Sequence, residues 1–133
     1  MSTDHITLTV PAKDEYAKTA RMTAAALVSH MDIPYDDLDD VKTATEEAFI
    51  YACDAEPASG EVTLHLYIDD ESLRIEVPIA PGSRTWSEDA DRRSALATFI
   101  LQGVCDTYEM SSDESGAWLR LSKRFGPVSV DAG

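Results

Sequence analysis

The sequence predicts an α+β fold, a two-layer sandwich in which three helices cover one face of a mostly antiparallel sheet. Three observations predict it. Alternating apolar residues mark five short strands, three segments carry apolar residues at helical spacing, and the order is strand, two helices, two strands, helix, two strands. Helices gathered on one face of an antiparallel sheet make two packed layers around one core.

The first strand is His5 to Val10, with Ile6, Leu8 and Val10 on one side, His5, Thr7 and Thr9 on the other, and Pro11 closing it. A helix is expected over Asp14 to Met31 on the stripe Tyr16, Ala20, Ala24, Leu27 and Met31, where Asp14 and Glu15 suit the positive end of the helix dipole. Asp32 to Tyr35 is a connector containing Pro34. Asp36 is then the expected N-cap of a second helix that runs to Asp54 on the stripe Leu38, Val41, Thr45, Ala48 and Ala52. Glu56 to Gly60 breaks this helix. Two strands follow, Val62, Leu64, Leu66, Ile68 and then Leu73, Ile75, Val77, Ile79, joined by a hairpin turn at Asp69 to Ser72. Residues 80–91 read as a loop. Helix 3 is expected from Asp91 to Cys105 with Leu96, Phe99, Ile100, Gly103 and Val104 inward. A strand near Thr107 to Ser111, a turn at Ser112 to Gly116 and a strand carrying Ala117, Leu119 and Leu121 complete the chain.

At 133 residues the chain fits one domain, residues 1–133, with a single core. Its 25 acidic residues against 11 Lys and Arg give a net charge of -14. That balance argues against direct nucleic-acid binding, which needs clustered cations, and against an anionic membrane surface; it suits a basic protein partner. No apolar run approaches a membrane span, and MSTDHITLTV lacks the basic and apolar regions of a secretion signal, so a cytoplasmic protein is expected. Cys53 and Cys105, with no CxxC spacing, are expected to be buried free thiols. His5, His30 and His65 lie far apart along the chain, and no metal site is expected from them. No GxSxG or comparable nucleophile signature is present. Trp86 and Trp118 are expected in packing or at an interface.

The element order, the VPAKDEY entry to helix 1, Arg21-Met22-Thr23 within it and YDDLDDVKTATEEA in helix 2 resemble the anti-sigma-factor serine/threonine kinases of the GHKL superfamily, which share the histidine kinase-like ATPase fold. The resemblance implies a partner-switching regulator, usually dimeric, that binds a sigma factor or a phosphorylatable anti-anti-sigma protein. It implies ATP and magnesium as cofactors where the kinase activity is kept. In that family a glutamate and, four residues on, an asparagine form the N-box; one helical turn puts both on one side, the first to take the substrate hydroxyl proton and the second to hold magnesium.

Aligned on KTATEEA, the base position is Glu47 and the asparagine position is Tyr51. A phenol is a poor ligand for magnesium. Glu47 reads either as a remnant base or as a solvated helix carboxylate beside Glu46. Tyr51 reads either as a filler of the nucleotide cavity or as a half-buried aromatic. The adenine-binding aspartate and glycine of the family fall in Arg74 to Gly82, where Gly82 matches the glycine and Pro81 stands near the aspartate position. The glycine-rich phosphate loop is replaced by SEDADRRSALA, where Arg92, Arg93 and the preceding Arg84 are offset by Glu88, Asp89 and Asp91. Arg21 aligns with a partner-contacting arginine and is expected to be exposed, either as a contact or as a passive surface residue.

The resemblance implies an anti-sigma-factor-like regulator that binds a sigma factor, an anti-anti-sigma protein or both, as a homodimer, and the departures from it imply that ATP use is weakened or lost. The alternatives are an active ATP-dependent serine/threonine kinase with Glu47 as base, and a homodimeric scaffold or small-molecule sensor on the same fold.

Overall fold

A computed structural model describes the backbone of residues 3–55, 57–79, 88–113 and 116–126, and their side chains except at 88–94, 112 and 113. The elements are β1 (Asp4–Pro11), a 3-10 turn (Asp14–Tyr16), α1 (Ala17–Val28), α2 (Tyr35–Asp54), β2 (Glu61–Ile68), β3 (Ser72–Ile79), α3 (Glu88–Val104), β4 (Thr107–Asp113) and β5 (Gly116–Arg124). The strands form one sheet in the order β1-β2-β3-β5-β4, and each of the four neighbouring pairs is antiparallel. This is the expected α+β sandwich with three helices. The last two strands enter the sheet in reverse order, so β5 lies inside and β4 at the edge.

Alternation sets the two faces of the sheet. Val62, Leu64, Leu66 and Ile68 of β2 and Leu73, Ile75 and Val77 of β3 are buried beneath the helices, joined by Leu119 and Leu121 of β5. Their neighbours in sequence point to the other face, where Thr9 and Thr63 share a hydrogen bond of 2.9 Å and Glu76 accepts from both Arg74 (2.9 Å) and Arg120 (3.2 Å). The β2–β3 turn is closed by Asp69, whose carboxylate accepts from the amides of Glu71 (2.7 Å) and Ser72 (2.8 Å). These bonds, the Glu71 amide first, hold the Asp69 carboxyl below the usual aspartate range. Gly60, just before β2, has φ of 74°, a left-handed conformation that only glycine takes at low cost, and its carbonyl accepts from the Ala12 amide at 2.8 Å.

Several boundaries differ from the sequence expectation. The first helical segment is a 3-10 turn at Asp14–Tyr16 followed by an α-helix that stops at Val28. Its fully buried positions are Ala20, Ala24 and Val28, whereas Tyr16, Leu27 and Met31 are half-buried at the margin. At α2 the N-cap is Pro34, not Asp36: the Pro34 carbonyl accepts from the amides of Asp37 (3.0 Å) and Leu38 (3.2 Å). Asp36 and Asp37 sit in the first turn instead, where their charge favours the helix dipole.

The largest correction concerns α3, which begins at Glu88 and turns Leu96 (58% exposed) and Phe99 (74% exposed) to solvent. Gly103 is also exposed, while Ala97 and Leu101 are buried and Ile100 and Val104 are half-buried. The inward face is rotated from the one that the apolar pattern suggests. Cys105 lies one residue past the end of α3 and is half-buried, while Cys53 in α2 is buried. Burial is the main cause that pushes each thiol up to about 12, so neither is a thiolate at neutral pH.

Candidate functional site on helices α1 and α2

Helices α1 and α2 pack side by side, and their fully buried positions are mostly small, with Ala20, Ala24, Ala44 and Ala48 at 1% exposure or less. Small residues allow the backbones close together, so the long side chains at the margin of the contact meet. Arg21 of α1 places Nη1 3.5 Å from Oε2 of Glu46 on α2, each side chain 34% exposed. Arg21 is therefore half-buried and tied to the neighbouring helix, where the sequence suggested a free surface arginine. An Arg held by one carboxylate still has donors left over for a second anionic group.

This ion pair lines a groove of about 490 Å³ between the helices, bordered also by Met22, Asp39, Lys42 and Thr43. A second depression of about 540 Å³ runs along α1, lined by Glu15, Lys18, Thr19, Met22, Thr23 and Ala26. Met22 borders both and is 51% exposed, a flexible apolar side chain set among charged ones. Nothing in the spacing of Glu46, Lys42 and Met22 marks them as one surface, because their grouping depends on how two helices lie together.

Glu47 follows Glu46 and so sits roughly 100° further round α2. It is half-buried, and burial first and the Glu46 charge second raise its pKa above the ordinary glutamate value. A raised pKa makes a carboxylate a better proton acceptor, as a general base requires. One turn on, Tyr51 is half-buried and packs against the hydrophobic core. A phenol is a poorer ligand for a hard cation such as magnesium than an amide or carboxylate oxygen. Gly82, Pro81, Arg84 and Trp86 lie outside the described residues, as do the side chains of Arg92 and Arg93.

Other charged side chains near α2 are structural. Lys123 of β5 donates to Asp40 at 2.9 Å and lies 3.6 Å from Asp37. Burial works against its charge, but the hydrogen bond to Asp40 and the charges of Asp40, Asp37 and Asp106 outweigh this and raise its pKa. Among the described residues no helix is long and apolar enough to cross a membrane.

Residues 10–123 match the family model described as the histidine kinase-like ATPase domain. Curated relatives include serine-protein kinase RsbW of Oceanobacillus iheyensis, 34% identical over 96% of this chain and 91% of that protein. RsbW of Bacillus subtilis is 32% identical over 96% and 90%, and RsbW of Halalkalibacterium halodurans is 28% identical over 95% and 86%. Among solved structures, the RsbU and RsbW domains of Rv1364c from Mycobacterium tuberculosis superpose with a TM-score of 0.68 at 13% identity, over 94% of this chain and 34% of that one, a likeness of fold. The chain belongs to the histidine kinase-like ATPase family, and within it to the anti-sigma-factor serine/threonine kinases.

Proposed function

We propose that the protein is a cytoplasmic, homodimeric partner-switching regulator that binds a sigma factor, an anti-anti-sigma protein or both, and that ATP and magnesium are bound weakly or not at all. Tyr51 carries the second half of this reading, because it takes the magnesium-holding position of the N-box and is packed on the core. The Arg21–Glu46 pair and the groove beside it support the first half. Arg21 is pre-positioned there, so a partner carboxylate meets a guanidinium whose side-chain entropy has already been spent in part. The net charge of -14 favours a basic partner surface around that contact and a salt-dependent association rate.

Titration calorimetry with ATP and magnesium tests the nucleotide part. No heat and no thermal shift at millimolar ATP are expected, and micromolar binding would overturn it. Binding of a sigma factor from the same organism tests the partner part. Arg21→Ala is expected to weaken it by about 1–3 kcal/mol and higher salt to slow its association; affinity indifferent to both would sink the reading. Sedimentation of the chain alone tests the homodimer.

One observation favours the second reading, an active kinase. Glu47 keeps the base position and its pKa is shifted in the direction that proton acceptance needs. Transfer of phosphate from ATP to a serine of an anti-anti-sigma protein, lost in Glu47→Gln, would establish it.

A further inference from the structure

Two of the three histidines, sixty residues apart in the chain, are brought together on the face of the sheet away from the helices. His5 of β1 and His65 of β2 place Nε2 and Nδ1 3.0 Å apart, and the Thr7 hydroxyl lies 3.4 Å from the same His5 nitrogen. The β1–β2 ladder is in register from Asp4↔Ile68 to Pro11↔Glu61, with Thr7 opposite His65 and Tyr67 opposite His5, so the two imidazoles are diagonal neighbours. The His5 ring is further fixed by stacking on Tyr67, with centroids 4.3 Å apart and planes at 13°. Arg74, from the strand on the other side, lies 4.4 Å from the Tyr67 centroid, and Glu76 holds its charge at 2.9 Å.

We propose that His5 and His65 form a two-nitrogen site for a borderline divalent transition ion of the kind imidazole prefers, Cu²⁺ above Ni²⁺ and Zn²⁺. Two imidazole nitrogens, each about 2.0–2.1 Å from one ion, stand roughly 2.9 Å apart at a right angle and roughly 3.3 Å apart at a tetrahedral one. The observed 3.0 Å lies between these values. In the metal-free pair one proton lies between the facing nitrogens. Moving it to the outer nitrogen of its own ring leaves two facing lone pairs, so neutral rings take up the ion without a net release of protons. Facing each other across a hydrogen bond, the two nitrogens must each turn by roughly 35–45° from the line that joins them before their lone pairs meet at one ion, a movement open to rings on the exposed face of β1 and β2. The remaining positions stay open to water, and the charge of -14 favours the approach of a cation. The separation of the histidines along the chain argued against a site, and strand pairing removes that objection.

The test is a titration of the full chain with Cu²⁺ alone, followed by calorimetry and by electron paramagnetic resonance. One ion per chain with two equatorial nitrogens is expected. Either His5→Gln or His65→Gln should weaken binding at least about tenfold, while His30→Gln should bind as the unaltered chain does. Equal binding by the His5 and His65 variants would put the ion on the acidic surface and overturn the proposal. So would the absence of binding at millimolar Cu²⁺. Circular dichroism checks that the variants are folded, and His5→Asn with His65→Asn provides a second pair that removes the nitrogens with less bulk.

Discussion

Helices α2 and α3 lie beside one another over the same sheet, yet the fold holds them differently. α2 packs against α1 on one flank, α3 on the other and β2, β3 and β5 beneath, and eight of its 20 residues are buried. Among the described side chains, α3 buries Ala97 and Leu101, and it presents Leu96 and Phe99 to solvent. A central helix has its orientation fixed from three directions. A flanking helix is fixed on one side, and apolar residues on its outer side stay there without cost to the core. Apolar content alone is thus a poor guide to which residues hold a helix in place.

Truncations break or sharpen this contrast most directly. Phe49 of α2 is fully buried, and Phe49→Ala should cost about 3–5 kcal/mol in denaturant unfolding, the largest effect expected from either helix. Leu101→Ala on α3 should cost about 2–4 kcal/mol, whereas Leu96→Ala and Phe99→Ala should stay within about 0.5 kcal/mol. Equal losses at Leu96 and Leu101 would mean that α3 is rotated from the orientation described.

Smaller effects concern the charges that tie the sheet together and to α2. Lys123→Met, which leaves Asp40 and Asp37 without their cation, should cost about 1–2 kcal/mol. Because the folded-state pKa of Lys123 is raised, its contribution is complete below the ordinary lysine value and is lost as pH rises through the folded one. The cost of the substitution should therefore be flat across neutral pH and shrink only in strong alkali. The Asp69 turn gives the smallest change, with the opposite sign. Its pKa is lowered by folding, so its contribution is present above the ordinary aspartate value and fades as pH falls through the depressed one. Asp69→Asn should flatten that acid limb of the stability curve, measured by thermal melts.

What the sequence revealed follows the same division. The strands were legible because period-two alternation on a half-covered sheet leaves little freedom, as Val62 to Ile68 shows. α2 is legible because its stripe is also its buried face, although the buried Phe49 lies just off that stripe. The inward face of α3 was not, since Leu96 and Phe99 fit the apolar pattern as well as Leu101 does. At the candidate site, Glu47, Tyr51 and Arg21 were found through resemblance. Glu46, which holds Arg21, was not, and neither was the meeting of His5 with His65 on the opposite face of the sheet, because each contact joins elements whose spacing in sequence carries no signal. The positions around Gly82 lie outside the described residues.

The pairing of β1 with β2 alone has a consequence for how the chain is made. β1 is an edge strand whose ladder partner begins at Glu61, after α1 and α2. At about 5–20 residues per second, the roughly fifty residues between Pro11 and Glu61 take about 3–10 s to synthesise. For that interval Ile6, Leu8 and Val10 leave the ribosome with no strand to join. The helical pair can form meanwhile, because helices close local contacts first. The N-terminal strand thus waits through the synthesis of both helices for its partner, and a ribosome-bound chain ending before Ile68 should leave it open to proteases.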